Sequence, residues 1–383
     1  MKLRLRRFYG LGVFLLAGII VSIKVAHHHV LASTAPAKSV TTTQPLTQLA
    51  TNGGLPGVLD AGTNALTAAQ IQQQNKRAAN IMNEQAMKPK ISSDGTKVYT
   101  LTAEPIVWNL YLKKNVKAWG YNGQISGPLM RFKVGDHVRI ILKNHLQVPT
   151  SLHLQGIPIA PMEGNISDIT GVSQKSVAPG QSRVYQFTVT PDMVGTHAYF
   201  SGTDMDNQID YGLHGAFIVD PSKGKEYPDA NVDALFDIGA FKVDASPTEN
   251  AFALNGKPYP NAPQLPVKLG QHVIIRLVNS SAESYHAMHL HGYTFKLVAE
   301  DGHHLAKPIA MNVLTLAPEE TADFEFIANN PGTWMFHCHI LDHTINPDDN
   351  VDPMQGLMTN FIVSKTTHSK SMPKSMSMSG SGM

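Results

Sequence analysis

The sequence contains a single cysteine, Cys338, among its 383 residues. No disulfide can form within the chain, and a free thiol is open to oxidation in an oxidising compartment. Charge is also sparse, at 16% of residues with a net charge of +2, and no basic stripe runs along the chain. This argues against nucleic acid as a partner. The length and the 42% hydrophobic content suffice for two domains with a core each.

The N-terminus has the pattern of an export signal. An uncharged, mostly apolar run extends from Phe8 to Ile23, and the small-residue stretch 30–32 offers a cleavage site. Four positive residues precede the run: Lys2, Arg4, Arg6 and Arg7. We expect 1–32 to be a signal peptide or an uncleaved membrane anchor. Either one places the rest of the chain outside the cytoplasm, in the periplasm, at the cell surface or in the extracellular space.

Composition divides the remaining chain. Residues 33–94 are predicted to be a linker containing one exposed helix, in the Ala- and Gln-rich stretch 65–87. The tail 366–383 is rich in Ser and Met, and we expect it to be disordered. Between them, from about Lys97, short β-branched and aromatic segments alternate with turn residues, which is typical of antiparallel β-sandwiches.

The strand pattern occurs twice. VGDHVRIILKN at 134–144 matches LGQHVIIRLVN at 269–279, and APGQSRVYQFTV at 178–189 matches APEETADFEFIA at 317–328. Two copies of one fold explain this most simply. We therefore predict an all-β protein with one domain at 95–222 and a second at 230–365.

Six histidines and the only cysteine are concentrated in two short windows, YHAMHLHGYTF at 285–295 and FHCHILDH at 336–343. Side chains alternate faces along a strand, so Cys338 should point one way and His337 and His339 the other. One strand can then serve two metal sites, one on each face.

A cysteine thiolate with two imidazoles and a weak axial position is the ligand set of blue copper. A structural zinc site normally has four strong ligands, and only one cysteine is present. A cysteine nucleophile with a histidine base is a further alternative, but it has no need for six clustered histidines.

At these motifs the chain resembles the multicopper oxidases, over about 95–365. The resemblance rests on YNGQISGPLMRFKVGD at 121–136, QIDYGLHGAFIVD at 208–220 and LTLAPEETADFEFIANNPGTWMFHCHILDH at 314–343. It implies two cupredoxin-like Greek-key β-sandwich domains with copper as the cofactor. It also implies a type-1 copper site with these ligands: His286, Cys338, His343, and Leu357 or Met358 in the axial position.

The resemblance further implies a second, inter-domain copper site, which the family builds from eight histidines. Five positions keep histidine: His153, His289, His291, His337 and His339. Three first-domain positions do not: Gln155, Phe200 and Gly202. We therefore expect one copper at this site, held by His153, His289 and one or more of the others, rather than a trinuclear cluster.

The implied function is that of an exported, laccase-like oxidoreductase. A phenol or a metal ion would donate single electrons at the type-1 copper, and Cys338 would pass them to the second site. Oxygen is the acceptor in the family, and nitrite becomes conceivable if the second site holds one copper. Two-domain relatives form homotrimers, and we extend that expectation to this chain. The alternative is a non-enzymatic cupredoxin for electron transfer or copper handling, and a weaker one is a scaffold without copper chemistry.

Overall fold

A computed structural model describes residues 58–59, 66–111, 114–158, 175–244, 246–347 and 354–365. The expected export segment 1–32 and the tail 366–383 lie outside these ranges. In the described part, no helix is both long and apolar enough to span a membrane.

The chain forms two α-helices and 21 strands within these ranges, joined by turns. Up to residue 220 the elements are β1 (Val58–Leu59), α1 (Ala68–Met82), β2 (Lys90–Ile91), β3 (Lys97–Tyr111), β4 (Lys114–Tyr121), β5 (Met130–Lys133), β6 (His137–Asn144), β7 (His153–Leu154), β8 (Ser182–Thr188), β9 (Gly195–Phe200), α2 (Met205–Asp210) and β10 (His214–Asp220). Beyond it they are β11 (Val232–Val243), β12 (Ala251–Leu254), β13 (Leu265–Lys268), β14 (His272–Asn279), β15 (His286–Leu290), β16 (Phe295–Glu300), β17 (His303–Met311), β18 (Val313–Leu316), β19 (Thr321–Ile327), β20 (Gly332–Cys338) and β21 (Met358–Ser364).

These strands build two β-sandwiches. The first combines a sheet of order β2-β3-β6-β8, with β4 also on β3, and a sheet of order β5-β10-β9-β7. The second combines β1-β11-β14-β19-β16-β17, with β12 on β11, and β13-β21-β20-β15-β18. β14 takes the place in its sheet that β6 takes in the first sandwich, parallel to a long strand and antiparallel to the next. The expected all-β fold of cupredoxin-like sandwiches is confirmed.

The sheets are mixed, so the expectation of purely antiparallel sandwiches is wrong. Five pairs run parallel in the described part: β1–β11, β3–β6, β5–β10, β11–β14 and β13–β21. Between β3 and β6 the chain passes through β5, which belongs to the opposite sheet. It therefore returns to the first sheet by a crossover rather than a hairpin, which gives parallel neighbours.

Alternation along the strands gives each sandwich its core. β6 buries every second residue, and the apolar residues among them are Val138, Ile140 and Leu142. In the second sandwich Phe336 lies 5.0 Å from Phe361, measured between ring centroids. Such aromatic contacts add to the stability that apolar burial provides.

The two sandwiches share an apolar interface. A face of β9 and β10 bearing Ala198, Phe200 and Ile218 belongs to one buried cluster with Leu235 and Val278 of the second sandwich. All of these side chains are fully or almost fully buried. The interface therefore uses the sheet containing β11 and β14, and leaves the sheet containing β15 and β20 out of this contact.

A buried ionic network reinforces the same interface. Arg276 of β14 is completely buried and donates two hydrogen bonds to Asp233, at 2.8 and 3.0 Å. Its Nη1 also donates to Thr196 of β9 at 2.9 Å and to Glu226 at 2.6 Å. A buried guanidinium left without its carboxylates would cost about 3–5 kcal/mol, so this network holds the sandwiches in register.

Helix α1 begins at a capping box in which Thr67 and Gln70 bond each other's backbone. The expectation that this helix is exposed is wrong for one face, which buries Gln74, Ala78 and Ile81. The Gln74 side chain accepts the Asn109 backbone N–H at 3.0 Å. The helix thus packs onto the sandwiches through a short apolar face, Ala78, Ile81 and Met82, together with the hydrogen-bonded Gln74.

Candidate metal centre

Three elements of the second sandwich bring His286, Cys338 and His343 together, and we call these residues the Cys338 site. His286 begins β15, Cys338 ends β20, and His343 lies in a 3-10 turn spanning Leu341–Thr344. One potential ligand atom from each of the three lies within 4.8 Å of the others. Cys338 Sγ is 3.6 Å from His343 Nδ1, which is 3.1 Å from His286 Nδ1.

Neighbouring side chains fix both imidazoles. The hydroxyl oxygen of Ser281 lies 2.9 Å from His286 Nε2, which leaves His286 Nδ1 to face the site. The His343 ring stacks on Phe252, with 4.1 Å between centroids and 19° between planes. The sequence analysis did not identify Ser281 or Phe252, because neither belongs to a motif that carries ligands.

Burial gives the site neutral donors before a metal binds. His286 and Cys338 are fully buried. Burial lowers the pKa of His286 well below its usual value, and lowers the pKa of His343. Burial also raises the pKa of the Cys338 thiol. Metal binding must therefore displace one proton, from the thiol, while both imidazoles already offer a lone pair.

Copper fits this donor set. One soft sulfur and two imidazole nitrogens converge in a buried pocket without a carboxylate among them. A structural zinc site normally has four strong ligands from Cys, His or carboxylate side chains, and this group contains three. The set matches the trigonal His₂Cys arrangement of blue copper.

The two axial candidates are consecutive residues, Leu357 just before β21 and Met358 at its start, and their side chains lie on opposite faces of the sheet. Met358 pairs directly with His337, so its side chain points to the His337 face. Leu357 belongs to the same buried cluster as Cys338 and is fully buried. Its carbonyl accepts the Cys338 backbone N–H at 3.1 Å. Leu357 is thus the candidate that faces the Cys338 site.

On the opposite face of β15 and β20 lies a second group, which we call the four-histidine cluster: His289, His291, His337 and His339. The centroids of neighbouring rings are 4.7 to 5.9 Å apart. His291 Nε2 lies 3.0 Å from His337 Nε2. The four imidazoles are neighbours, but among the described residues only the Cys338 site has three ligand atoms that all lie within 4.8 Å of one another.

Backbone carbonyls orient two rings of the cluster for metal binding. His289 Nδ1 lies 2.6 Å from the Asn312 carbonyl, and His337 Nδ1 lies 2.7 Å from the Cys338 carbonyl. Each Nδ1 must carry the hydrogen that it donates, so each Nε2 presents a lone pair. Burial also lowers the pKa of His337, which keeps its imidazole neutral.

His153, the fifth expected ligand, lies in β7 at the edge of a first-domain sheet. Its ring stacks on Phe200, with 4.9 Å between centroids. Burial lowers its pKa, so it too is a neutral imidazole. The four-histidine cluster lies on a different sheet, in the second sandwich. The ring contacts given above for the cluster each join two of its own four histidines.

The three first-domain positions without histidine have other contacts. Gln155 Nε2 donates to the Glu319 carbonyl of the second sandwich at 2.7 Å, and Gln155 Oε1 accepts from the Ala198 backbone at 3.4 Å. Phe200 is part of the apolar interface, with 2% of its surface exposed. Gly202 is buried in the bend between β9 and α2. These contacts join the two sandwiches and offer no metal ligand.

Comparison with known proteins agrees with this geometry. Two sequence models described as multicopper oxidase match the chain, one over residues 102–224 and the other over 227–366. The chain belongs to the multicopper oxidase family. Its expected membership and its copper cofactor, at a type-1 and a further site, are thereby confirmed.

Similar proteins come from varied organisms. A multicopper oxidase of Staphylococcus aureus is 26% identical over 249 residues, which are 61% of this chain and 53% of that protein. A probable nitrite reductase–hydroxylamine oxidoreductase fusion protein of Kuenenia stuttgartiensis is 28% identical over 251 residues, or 60% of this chain and 28% of that protein. The chain thus spans from about a fifth to about half of the length of the curated relatives it matches.

Solved structures share the fold. A crystal structure of a multicopper oxidase superposes with a TM-score of 0.64 at 26% identity, covering 75% of this chain and 96% of that one. A copper nitrite reductase from Nitrosomonas europaea has a TM-score of 0.56 at 19% identity, covering 70% of this chain and 94% of that one. At that identity the second comparison concerns the fold alone.

Proposed function

We propose that this multicopper oxidase is an exported oxidoreductase that moves single electrons from a donor at the Cys338 site to a second copper site at the four-histidine cluster. The observation that carries the proposal is the adjacency of Cys338 and His337 in one strand. One side chain belongs to the Cys338 site and the other to the four-histidine cluster. When bound at these two sites, copper supplies one-electron redox chemistry.

The residues of the chain provide the connection between the sites. Cys338 and His337 are joined covalently, and the His337 imidazole also bonds the Cys338 carbonyl. Fully buried Cys338 and His286 exclude water from the first site. A rigid, dry ligand frame limits the structural change that accompanies each electron transfer.

The surface beside the Cys338 site favours a phenolic donor over a metal ion. Tyr285 precedes His286, while Leu341 begins the turn that carries His343 and Ile345 follows it. These three side chains are among the exposed large apolar residues of the described part, at 59%, 60% and 40%. An apolar surface of this kind suits an aromatic ring better than a hydrated cation.

A second copy of the chain would complete the second site. The four-histidine cluster lies on the sheet that the interface within the chain leaves out, whereas His153 lies on an edge strand of the first sandwich. We propose a homotrimer in which the first sandwich of one subunit supplies His153 to the cluster of the next. Analytical ultracentrifugation of the copper-loaded protein tests this, and a monomer would contradict it.

The second site is proposed to hold fewer than three coppers, because Gln155, Phe200 and Gly202 supply no ligand. Oxygen is the proposed acceptor. A one-electron acceptor such as nitrite is the second candidate. The missing ligands at Gln155, Phe200 and Gly202 support this candidate, because nitrite becomes conceivable if the second site holds one copper. Oxygen uptake and nitrite consumption, measured with one phenolic donor, decide between them.

Matched variants test the proposal as a whole. Cys338→Ser should abolish both the blue absorption and turnover, whereas His289→Ala should keep the absorption and abolish turnover. Turnover that survives in both variants would contradict the proposed electron path. Export is proposed from residues 1–32, and finding the protein in the cytoplasmic fraction of its host would contradict that part.

A further inference from the structure

The loop between β14 and β15, residues 280–285, supplies a hydrogen-bond partner to the copper ligand His286. The Ser281 oxygen lies 2.9 Å from His286 Nε2, and both residues are completely buried. Because His286 Nδ1 faces the Cys338 site, Nε2 carries the hydrogen when a metal is bound. Ser281 is then the acceptor, in the position where metal-binding histidines usually have a carboxylate, carbonyl or water.

A carboxylate from another segment holds this loop. Glu249 Oε1 accepts the backbone N–H groups of Ala282 and Glu283, at 3.0 and 3.2 Å. Glu249 is itself 8% exposed. A nearly buried carboxylate that accepts two backbone hydrogen bonds fixes the loop one residue away from Ser281.

The first sandwich reaches the same loop through Lys242. Asp210, the last residue of α2, is fully buried and lies 2.9 Å from the Lys242 ammonium, which also binds Glu283 at 2.8 Å. Burial together with neighbouring Glu249 raises the pKa of Asp210 to about 9. Through Lys242, these contacts tie the loop that carries Ser281 to the first sandwich.

We propose that Glu249 and Ser281 are positioning residues that set the reduction potential of the copper at the Cys338 site. The inference rests on the proposed function, since it requires copper at His286. Neither residue is a metal ligand. Both act through the orientation and the basicity of the His286 ring.

The direction of the effect follows from the hydrogen bond. An acceptor at Nε2–H makes the imidazole a stronger electron donor, and this favours Cu(II) over Cu(I). Loss of the acceptor leaves a buried N–H unpaired and weakens the bond to Cu(II) more than to Cu(I). Loss of such a partner typically costs about 10–100-fold in metal affinity.

The test compares four variants of the full-length, copper-loaded protein: Ser281→Ala, Glu249→Ala, Glu249→Gln and, as a control, Asp136→Ala. Asp136 also accepts one backbone N–H and binds one lysine, but it lies in the β5–β6 turn of the first sandwich. Reduction potential, visible spectrum, and binding constants for Cu(II) and Cu(I) are measured, with circular dichroism as the check on folding.

We expect Ser281→Ala and Glu249→Ala to remain blue and to lose about tenfold in Cu(II) affinity relative to Cu(I). A tenfold change corresponds to a rise of about 59 mV for one electron. Glu249→Gln keeps an acceptor oxygen at Oε1 and should stay near the wild-type potential. Asp136→Ala should not shift the potential.

A wild-type potential in both folded Ser281→Ala and folded Glu249→Ala would overturn the inference, as would an equal shift in Asp136→Ala. If Glu249→Ala does not fold, an unshifted Ser281→Ala alone overturns it. A colourless wild-type protein would instead contradict the proposed function, so the two failures can be told apart.

Discussion

His337 Nδ1 lies 2.7 Å from the carbonyl oxygen of Cys338, the next residue in the same strand. This bond fixes the His337 tautomer, so that Nε2 points to His291 in the four-histidine cluster. The side chain of Cys338 meanwhile points to His343 on the other face. Two adjacent residues of one strand thus place a ligand at each of two sites, and the following predictions test this arrangement.

Removing a ligand from the four-histidine cluster should separate colour from turnover. His339→Ala removes one imidazole from the cluster but touches no residue of the Cys338 site. We expect an unchanged blue absorption and at least a 100-fold loss of donor oxidation, measured by stopped-flow reduction and steady-state assay. The control His137→Ala changes a histidine of β6 in the first sandwich and should keep both. A fully active His339→Ala would show that the cluster takes no part in the reaction.

Replacing the buried residue on the Cys338 face of β21 should change the copper potential. In Leu357→Met, a thioether becomes available as a weak axial donor, which stabilises Cu(II) and lowers the potential. Redox titration followed at the blue absorption band measures the shift. Met358→Leu is the matched control, because Met358 points to the His337 face. A shift in Met358→Leu with none in Leu357→Met would reverse our placement of the axial residue.

Phe200 should act in stability rather than in metal binding. Its ring fills the apolar interface between the sandwiches, so Phe200→Ala should cost about 3–5 kcal/mol in the free energy of unfolding. Phe200→His restores the residue type of the family, but it replaces a ring that packs both on His153 and in the apolar interface, and should destabilise without adding copper. Urea unfolding and copper analysis measure both effects. Extra copper in Phe200→His would show that the position faces a metal site after all.

Burial of Lys257 should make the free energy of unfolding increase as the pH rises above neutrality. It is fully buried, donates to Gln74 Oε1 and to the Asn109 carbonyl, and lies over the Trp108 ring. Burial lowers its pKa from 10.5 to about 7. Between these values the unfolded chain holds a proton that the folded chain has released. The free energy of unfolding contributed by this group therefore increases with pH, by about 1.4 kcal/mol per unit of pKa difference.

Denaturant unfolding between pH 7 and 10 measures this contribution. Lys257→Met should flatten the rise relative to wild type, because the titrating amine is gone. Lys143→Met, which changes an exposed lysine of β6, should keep the wild-type slope. Equal slopes in wild type and Lys257→Met would show that Lys257 stays protonated in the folded protein.

The sequence predicted the local features of this fold well. β6 shows the alternating apolar pattern that burial of one face imposes. β10 and β14 are buried on both faces and were recognisable instead by their β-branched and aromatic residues. The parallel pairing of β3 with β6 was not predicted, because it depends on a crossover through the other sheet. The buried face of α1 was missed because Gln74 packs through hydrogen bonds, and hydrophobic periodicity does not register them.

The site residues likewise divide into those that local sequence motifs indicate and those that only the folded structure brings together. Cys338 was identified because it is the only cysteine and stands among clustered histidines, and the resemblance to the multicopper oxidases implied His286 and His343 as its partners. Ser281 and Glu249 were not identified, since serines and glutamates are common and only the folded loop brings them to His286. The resemblance implied a histidine at the position of Gln155. That its amide binds Glu319 across the interface depends on the packing of the sandwiches.

The central claim is that one thiolate and two imidazoles form a blue-copper site backed by a second copper site on the other face of the strand. Copper analysis of the purified, copper-loaded protein, combined with its visible and electron paramagnetic resonance spectra, tests it most directly. We predict an intense blue band that Cys338→Ser abolishes, together with a second copper signal that His289→Ala removes. A copper-loaded protein that is colourless, or that is blue with one copper per chain and no second signal, would contradict the account.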